Sequence, residues 1–178
     1  MAARRLSEME ACVLALIWLD GPVTAYALRL VFLKSPSPQW SGSAGSIYPL
    51  LARLERSRLV RSTAQSTGRR PGKLFSLSPA GRRAVQKWLE PDIPGWVAGV
   101  PPDPLRTRIG FLDALPPNQQ KAFLRSAQKA VEEQLGKVLR DNHSRPAKAG
   151  FEYWTARGAL LAMRARRAWL RELAQALG

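Results

Sequence analysis

The side chains whose chemistry stands out in this sequence are cations. From Arg56 to Leu89 the ionisable residues are Arg56, Arg58, Arg61, Arg69, Arg70, Lys73, Arg82, Arg83 and Lys87, with no acid among them. Cations in such a run draw a polyanion and gain affinity by releasing its counterions, whatever its sequence. A solvated charged face is the plain alternative, but Gly68-Arg69-Arg70-Pro71-Gly72-Lys73 joins three cations to two glycines. Glycine lets a backbone lie close against another, which suits a loop laid along DNA. Catalysis finds little material. The one histidine, His143, lies in a polar segment that reads as a loop, and no metal spacing, phosphate loop or nucleophile motif occurs. Neither an enzyme nor a cofactor is expected.

Composition supports a polyanion as partner. Twenty-eight Lys and Arg against 13 Asp and Glu give a formal charge of +15 and a pI near 11.3, which favours nucleic acid or acidic lipid. At 178 residues and 46% hydrophobic the chain can bury a core unaided. The single Cys12 falls in an apolar helical pattern, so no intrachain disulfide is available and a reducing compartment fits. Arg4 and Arg5 before the apolar residues 11–19 imitate a signal peptide, but Glu8 and Glu10 intervene. No run reaches the roughly 18 apolar residues of a membrane span. A soluble, cytoplasmic protein is expected.

The elements that must position the cations follow from periodicity and punctuation. Ser7-Glu8-Met9-Glu10 has capping-box form, and Leu6, Met9, Val13, Leu16 and Ile17 recur at helical spacing, predicting a first helix over 7–19. Asp20-Gly21-Pro22 breaks it, Thr24 can cap a second helix with Tyr26, Leu28, Val31 and Phe32, and Ser35-Pro36-Ser37-Pro38 ends that one. After a loop around Trp40-Ser41-Gly42, residues 43–58 set Ile47, Leu50, Leu51 and Leu54 on one side and Arg53, Glu55 and Arg56 on another. Pro49 requires either that Ser46 be the cap or that this third helix kink. Strands over 59–65 and 73–77 with a loop at 66–72 make a hairpin, and Ser78-Pro79 starts a fourth helix bearing Val85, Trp88 and Leu89. Prolines 91, 94, 101, 102 and 104 with Gly95 and Gly99 mark a linker. The predicted division is therefore 1–90, linker 91–104, and 105–178. The last part holds only helices, carrying Leu105, Ile109 and Leu112, then Phe123 to Val138, then residues 151–177.

Three helices followed by a hairpin form the winged helix-turn-helix plan, in which the third helix enters the major groove and the wing reaches the flanking backbone. The fold class is thus mainly α with a small β-hairpin, a winged helix-turn-helix domain plus a helical dimerisation region. Leu6-Ser7 onward, the string Ala44-Gly45-Ser46-Ile47-Tyr48-Pro49-Leu50-Leu51-Ala52-Arg53-Leu54-Glu55, and residues 68–82 resemble PadR-family repressors. That resemblance covers about the first half in motifs and the second only in helical layout. It accounts for Pro49, a position where the family carries proline. It implies a homodimer through the last helix, a palindromic double-stranded DNA operator, and release by a small, often aromatic, ligand. Carried onto this chain it implies DNA contacts from Ser43, Ser46 and Tyr48 and from Arg69, Arg70 and Lys73. Tyr48 has two fates open, a hydroxyl on a phosphate or a ring packed on the first helix. Ala25-Tyr26 departs from the family's Gly-Tyr.

The last helix admits two uses. Arg157, Arg164, Arg166, Arg167 and Arg171 beside Trp154, Leu161 and Trp169 would suit a membrane surface. The apolar positions 154, 158, 161, 165, 168 and 169 equally suit a partner helix, and two-fold symmetry matches a palindromic site. A homodimer without membrane is therefore expected. Trp154 and Trp169 are candidate effector contacts; being about four turns and roughly 22 Å apart, they could hold a flat molecule only beside symmetry mates. The competing function is a nucleoid or RNA-binding protein without sequence preference.

Overall fold

The computed structural model describes residues 6–35, 37, 40, 43–67, 70–143 and 150–177. The chain folds as two compact units, Met1–Ala98 and Gly99–Gly178.

In the first unit α1 (Glu8–Asp20) begins with a complete capping box. The Ser7 hydroxyl accepts the Glu10 N–H at 3.3 Å, and the Glu10 carboxylate accepts the Ser7 N–H at 3.0 Å. The helix stops at Gly21, whose φ of 72° a side chain would disfavour. Next comes β1 (Val23–Thr24), a strand of two residues that no alternation could announce. Thr24 then caps α2 (Ala25–Leu33) by accepting the Ala27 N–H at 3.1 Å. A 3-10 turn, Ala44–Ser46, leads into α3 (Ile47–Arg56), so Pro49 sits in the first turn behind Ser46, where its missing donor leaves no intrahelical bond unmade.

The hairpin is longer than the sequence pattern suggests. Strands β2 (Val60–Thr67) and β3 (Arg70–Leu77) pair from Val60↔Leu77 out to Thr67↔Arg70, so most of the loop predicted at 66–72 is strand. Pro71 within β3 is the residue that misleads. Strand β1 pairs with β3 only at Leu74 and Phe75, so at Pro71 that side of β3 is an open edge, where a missing N–H is tolerated. The antiparallel sheet has the order β1-β3-β2. Ser78 caps α4 (Pro79–Trp88), and a one-turn helix α5 (Gly95–Ala98) lies within the stretch expected to be linker.

One core unites these elements. Val13, Leu14 and Ile17 of α1, Leu28 and Phe32 of α2, Ile47, Leu50, Leu51 and Leu54 of α3, Val60, Phe75 and Val85 are all buried together. Each large side chain among them contributes about 1.5–3 kcal/mol by leaving water. Trp40 packs against this core with its ring centroid 5.6 Å from that of Phe32, which explains a tryptophan in a polar loop. Cys12 lies half-buried on α1, and burial first, then the charge of Glu8, push its thiol pKa up.

The second unit starts with α6 (Pro104–Ile109), capped by Asp103, whose carboxylate accepts the N–H groups of Leu105 and Arg106. The same carboxylate holds Arg166 at 2.6 Å. After a 3-10 turn, Leu112–Ala114, two long helices follow, α7 (Pro117–His143) and α8 (Phe151–Ala176). Leu170 packs with Leu124, Ala127 and Val131, while Leu160 packs with Leu135 and Val138, so the two helices run antiparallel. His143, expected in a loop, is instead the last residue of α7; extending a formed helix costs far less than starting one. The His143 side chain lies outside the described residues. No helix among the described residues is long and apolar enough to cross a membrane.

Candidate nucleic-acid interface

Helix α3 sinks Ile47, Leu50, Leu51 and Leu54 into the core and leaves Tyr48, Pro49, Ala52, Arg53 and Arg56 exposed. That exposed side, about two and a half turns long, is the surface a major groove would meet. Tyr48 stands 53% exposed rather than sunk against α1. Ser46 donates its hydroxyl back to the Ser43 carbonyl at 2.7 Å and lies 3.6 Å from the Met9 sulfur. Ser43 opens the 3-10 turn and is half-buried.

The orientation of α3 has a second support that sequence patterning misses. Glu10, buried to 2% exposure, faces Arg53 with 3.6 Å between its Oε1 and the guanidinium Nε. The capping motif already accounts for this carboxylate, so spacing alone gives no reason to look for a partner on α3. A buried carboxylate demands such a partner, because leaving it unpaired is strongly unfavourable.

On the wing, Lys73 is exposed on β3, its Nζ 3.5 Å from Oε2 of Glu55. The Ser62 hydroxyl on β2 donates to the other oxygen of Glu55. The Ser62 bond, helped by the charge of Lys73, outweighs desolvation and holds the Glu55 carboxyl below its usual pKa. Arg69 lies outside the described residues; Arg70 opens β3, and its side chain is outside them too. Arg61 on β2 is exposed, as are Arg58, Arg82, Arg83 and Lys87 beyond the wing. Arg58 adopts φ 58° at the turn from α3 to β2, and with Arg61 and Arg83 it rims a cleft of about 500 Å³.

The two tryptophans proposed from sequence as effector contacts have different surroundings. Trp154 is 65% exposed and meets Tyr153 edge to face at 5.3 Å. Trp169 is half-buried against the cluster of Leu112, Leu124 and Leu170 within its own protomer. Neither lines the groove of about 230 Å³ between α7 and α8, where Arg167 and Arg171 both reach Glu132.

An amphipathic third helix behind a turn, a three-stranded sheet ending in a basic wing, and a closing helix define a winged helix-turn-helix protein. Residues 13–87, which hold most of the winged helix-turn-helix, match the model of the transcriptional regulator PadR-like family. Its members are regulators of transcription and not enzymes. Solved structures agree in fold. PadR of Bacillus subtilis in complex with operator DNA superposes with a TM-score of 0.81 at 17% identity, covering 98% of this chain and 100% of that one. A PadR-like regulator from Bacillus cereus gives 0.75 at 16% identity with both chains fully covered. The Bacillus subtilis protein in complex with p-coumaric acid gives 0.75 at 18%, covering 95% and 98%. A search of curated proteins finds no match.

Proposed function

We propose that this chain is a repressor that binds a double-stranded operator as a homodimer, residues 1–90 reading DNA and residues 105–178 pairing the protomers. The observation that carries this is the exposed face of α3 set beside a wing and a fourth helix whose cations have no acid among them from Arg56 to Leu89. The similar Bacillus subtilis protein was crystallised on operator DNA, which supports the same use of the same fold. Work on DNA would place the protein in the cytoplasm.

Replacing Arg69, Arg70 and Lys73 together by alanine is expected to weaken binding to every duplex and to flatten the salt dependence by about 0.9 in log–log slope for each phosphate no longer neutralised. Filter binding or fluorescence anisotropy at several salt concentrations reads this out, and an unchanged slope would remove the wing from the interface. A sequence-reading repressor should prefer its own promoter over random duplex by about a thousandfold or more. Comparable affinities for promoter, random duplex and RNA would favour the nucleoid-protein alternative.

A ligand that releases the operator belongs to this proposal, supported by the p-coumaric acid complex of the similar protein. Its site is placed at the protomer pairing beside Trp154, whose exposed indole offers a flat apolar surface. Trp169 enters only through the packing it gives α8. Titrating planar aromatic acids against tryptophan fluorescence should show binding that Trp154→Leu weakens more than Trp169→Leu. Equal binding by both variants and the parent would put the pocket elsewhere.

A further inference from the structure

We propose that Glu55 is a latch that fastens the wing to the DNA-reading helix and keeps Lys73 from acting as a free phosphate contact. This rests on the DNA-binding role proposed above and adds a positioning residue to it. Glu55 is the next-to-last residue of α3, and its two carboxylate oxygens go to different strands, one to Ser62 on β2 and one to Lys73 on β3. The register puts this on one face of the hairpin. Ser62 pairs with Phe75 and Ala64 with Lys73, and side chains two apart share a face. Phe75 is buried in the core, so the latch lies on the side of the hairpin that faces α3.

The consequence for DNA binding follows from charge. Glu55 is the only acid from α3 through α4, and it sits against a cation of the wing. With Glu55 in place Lys73 is partly neutralised before DNA arrives, so its share of sequence-independent affinity is suppressed. Meanwhile the wing keeps a fixed angle to the helix that reads bases. Such an arrangement trades general affinity for discrimination.

Glu55→Gln keeps an oxygen for Ser62 and removes the charge, whereas Glu55→Ala removes both ties. Anisotropy with promoter and random duplexes across a salt series should show the glutamine variant binding random duplex about fivefold tighter at 0.15 M salt, with a slope steeper by about one counterion. Its preference for the promoter should fall. Combining Glu55→Gln with Lys73→Ala should return random-duplex affinity to the parent's level. A glutamine variant with the parent's affinity and slope would overturn the latch. A second readout needs no DNA: hydrogen exchange of the β2 and β3 amides should quicken in Glu55→Ala relative to those of α1, and unchanged protection would equally overturn it. Should the parent bind no duplex, the DNA-binding proposal fails, and the exchange experiment still decides whether Glu55 holds the wing.

Discussion

Replacing Gly81 by alanine is expected to destabilise the first unit by about 3 kcal/mol or more, at the upper end of overpacking penalties. An added Cβ would stand 2.1 Å from the Leu59 carbonyl oxygen, 3.1 Å from the carbonyl carbon and 3.2 Å from Cδ2 of Leu77. The side chain could rotate away; the carbonyl cannot. Leu59 O accepts the Ser78 N–H at 3.0 Å, and the Ser78 hydroxyl both donates to Arg58 O at 2.7 Å and accepts the Gly81 N–H at 3.0 Å. The first turn of α4 is thereby bolted to the turn leaving α3, and relief of the clash would break that set of bonds. Thermal unfolding followed by circular dichroism should show the midpoint lowered by roughly 10 °C or more. Gly95→Ala, where a Cβ meets nothing within 4 Å, serves as the control. A Gly81→Ala protein as stable as the parent would mean that the α4 turn is not held as described.

The second large effect concerns association. Helix α8 has one side packed on α7 through Leu160, Met163 and Leu170. Another side exposes Trp154, Gly158, Leu161, Ala165 and Ala168, spaced four, three, four and three residues apart as in a two-stranded seam. Leu161 is half exposed in the protomer, so Leu161→Glu should leave the fold intact. In a pairing of two copies it would bury two carboxylates without partners. Dimer dissociation constants should rise about a hundredfold or more. Sedimentation of parent and variant at matched concentrations checks this, and a parent that is monomeric at micromolar concentration would defeat the pairing outright.

Much of the scaffold is legible in residue order because it rests on local rules. Ser7, Thr24 and Ser78 each cap the helix they are expected to cap, and the apolar spacing of Ile47, Leu50, Leu51 and Leu54 is the buried side of α3. Features set by pairing at a distance are not legible. Strand β1 has two residues and exists only because β3 offers it an edge. The wing reads short because Pro71 argues against a strand unless its free edge is known. Glu55 reads as one more charge on a solvated side of a helix, and nothing in its neighbours announces Ser62 or Lys73 as partners. In α8 the periodic pattern shows two apolar sides without saying which belongs to the protomer. By spacing Trp169 joins the stripe at 154, 158, 161, 165 and 168, whereas it packs with the cluster around Leu170.

The half-buried thiol on α1 has a chemical consequence. Burial and the neighbouring carboxylate of Glu8 both favour the protonated form of Cys12, and attack on peroxides, disulfides and alkylating reagents proceeds through the thiolate. The only sulfhydryl in the sequence is thus disfavoured as a nucleophile. Oxidants that act on thiol-based sensors through a low-pKa thiolate find a poorer target in this side chain.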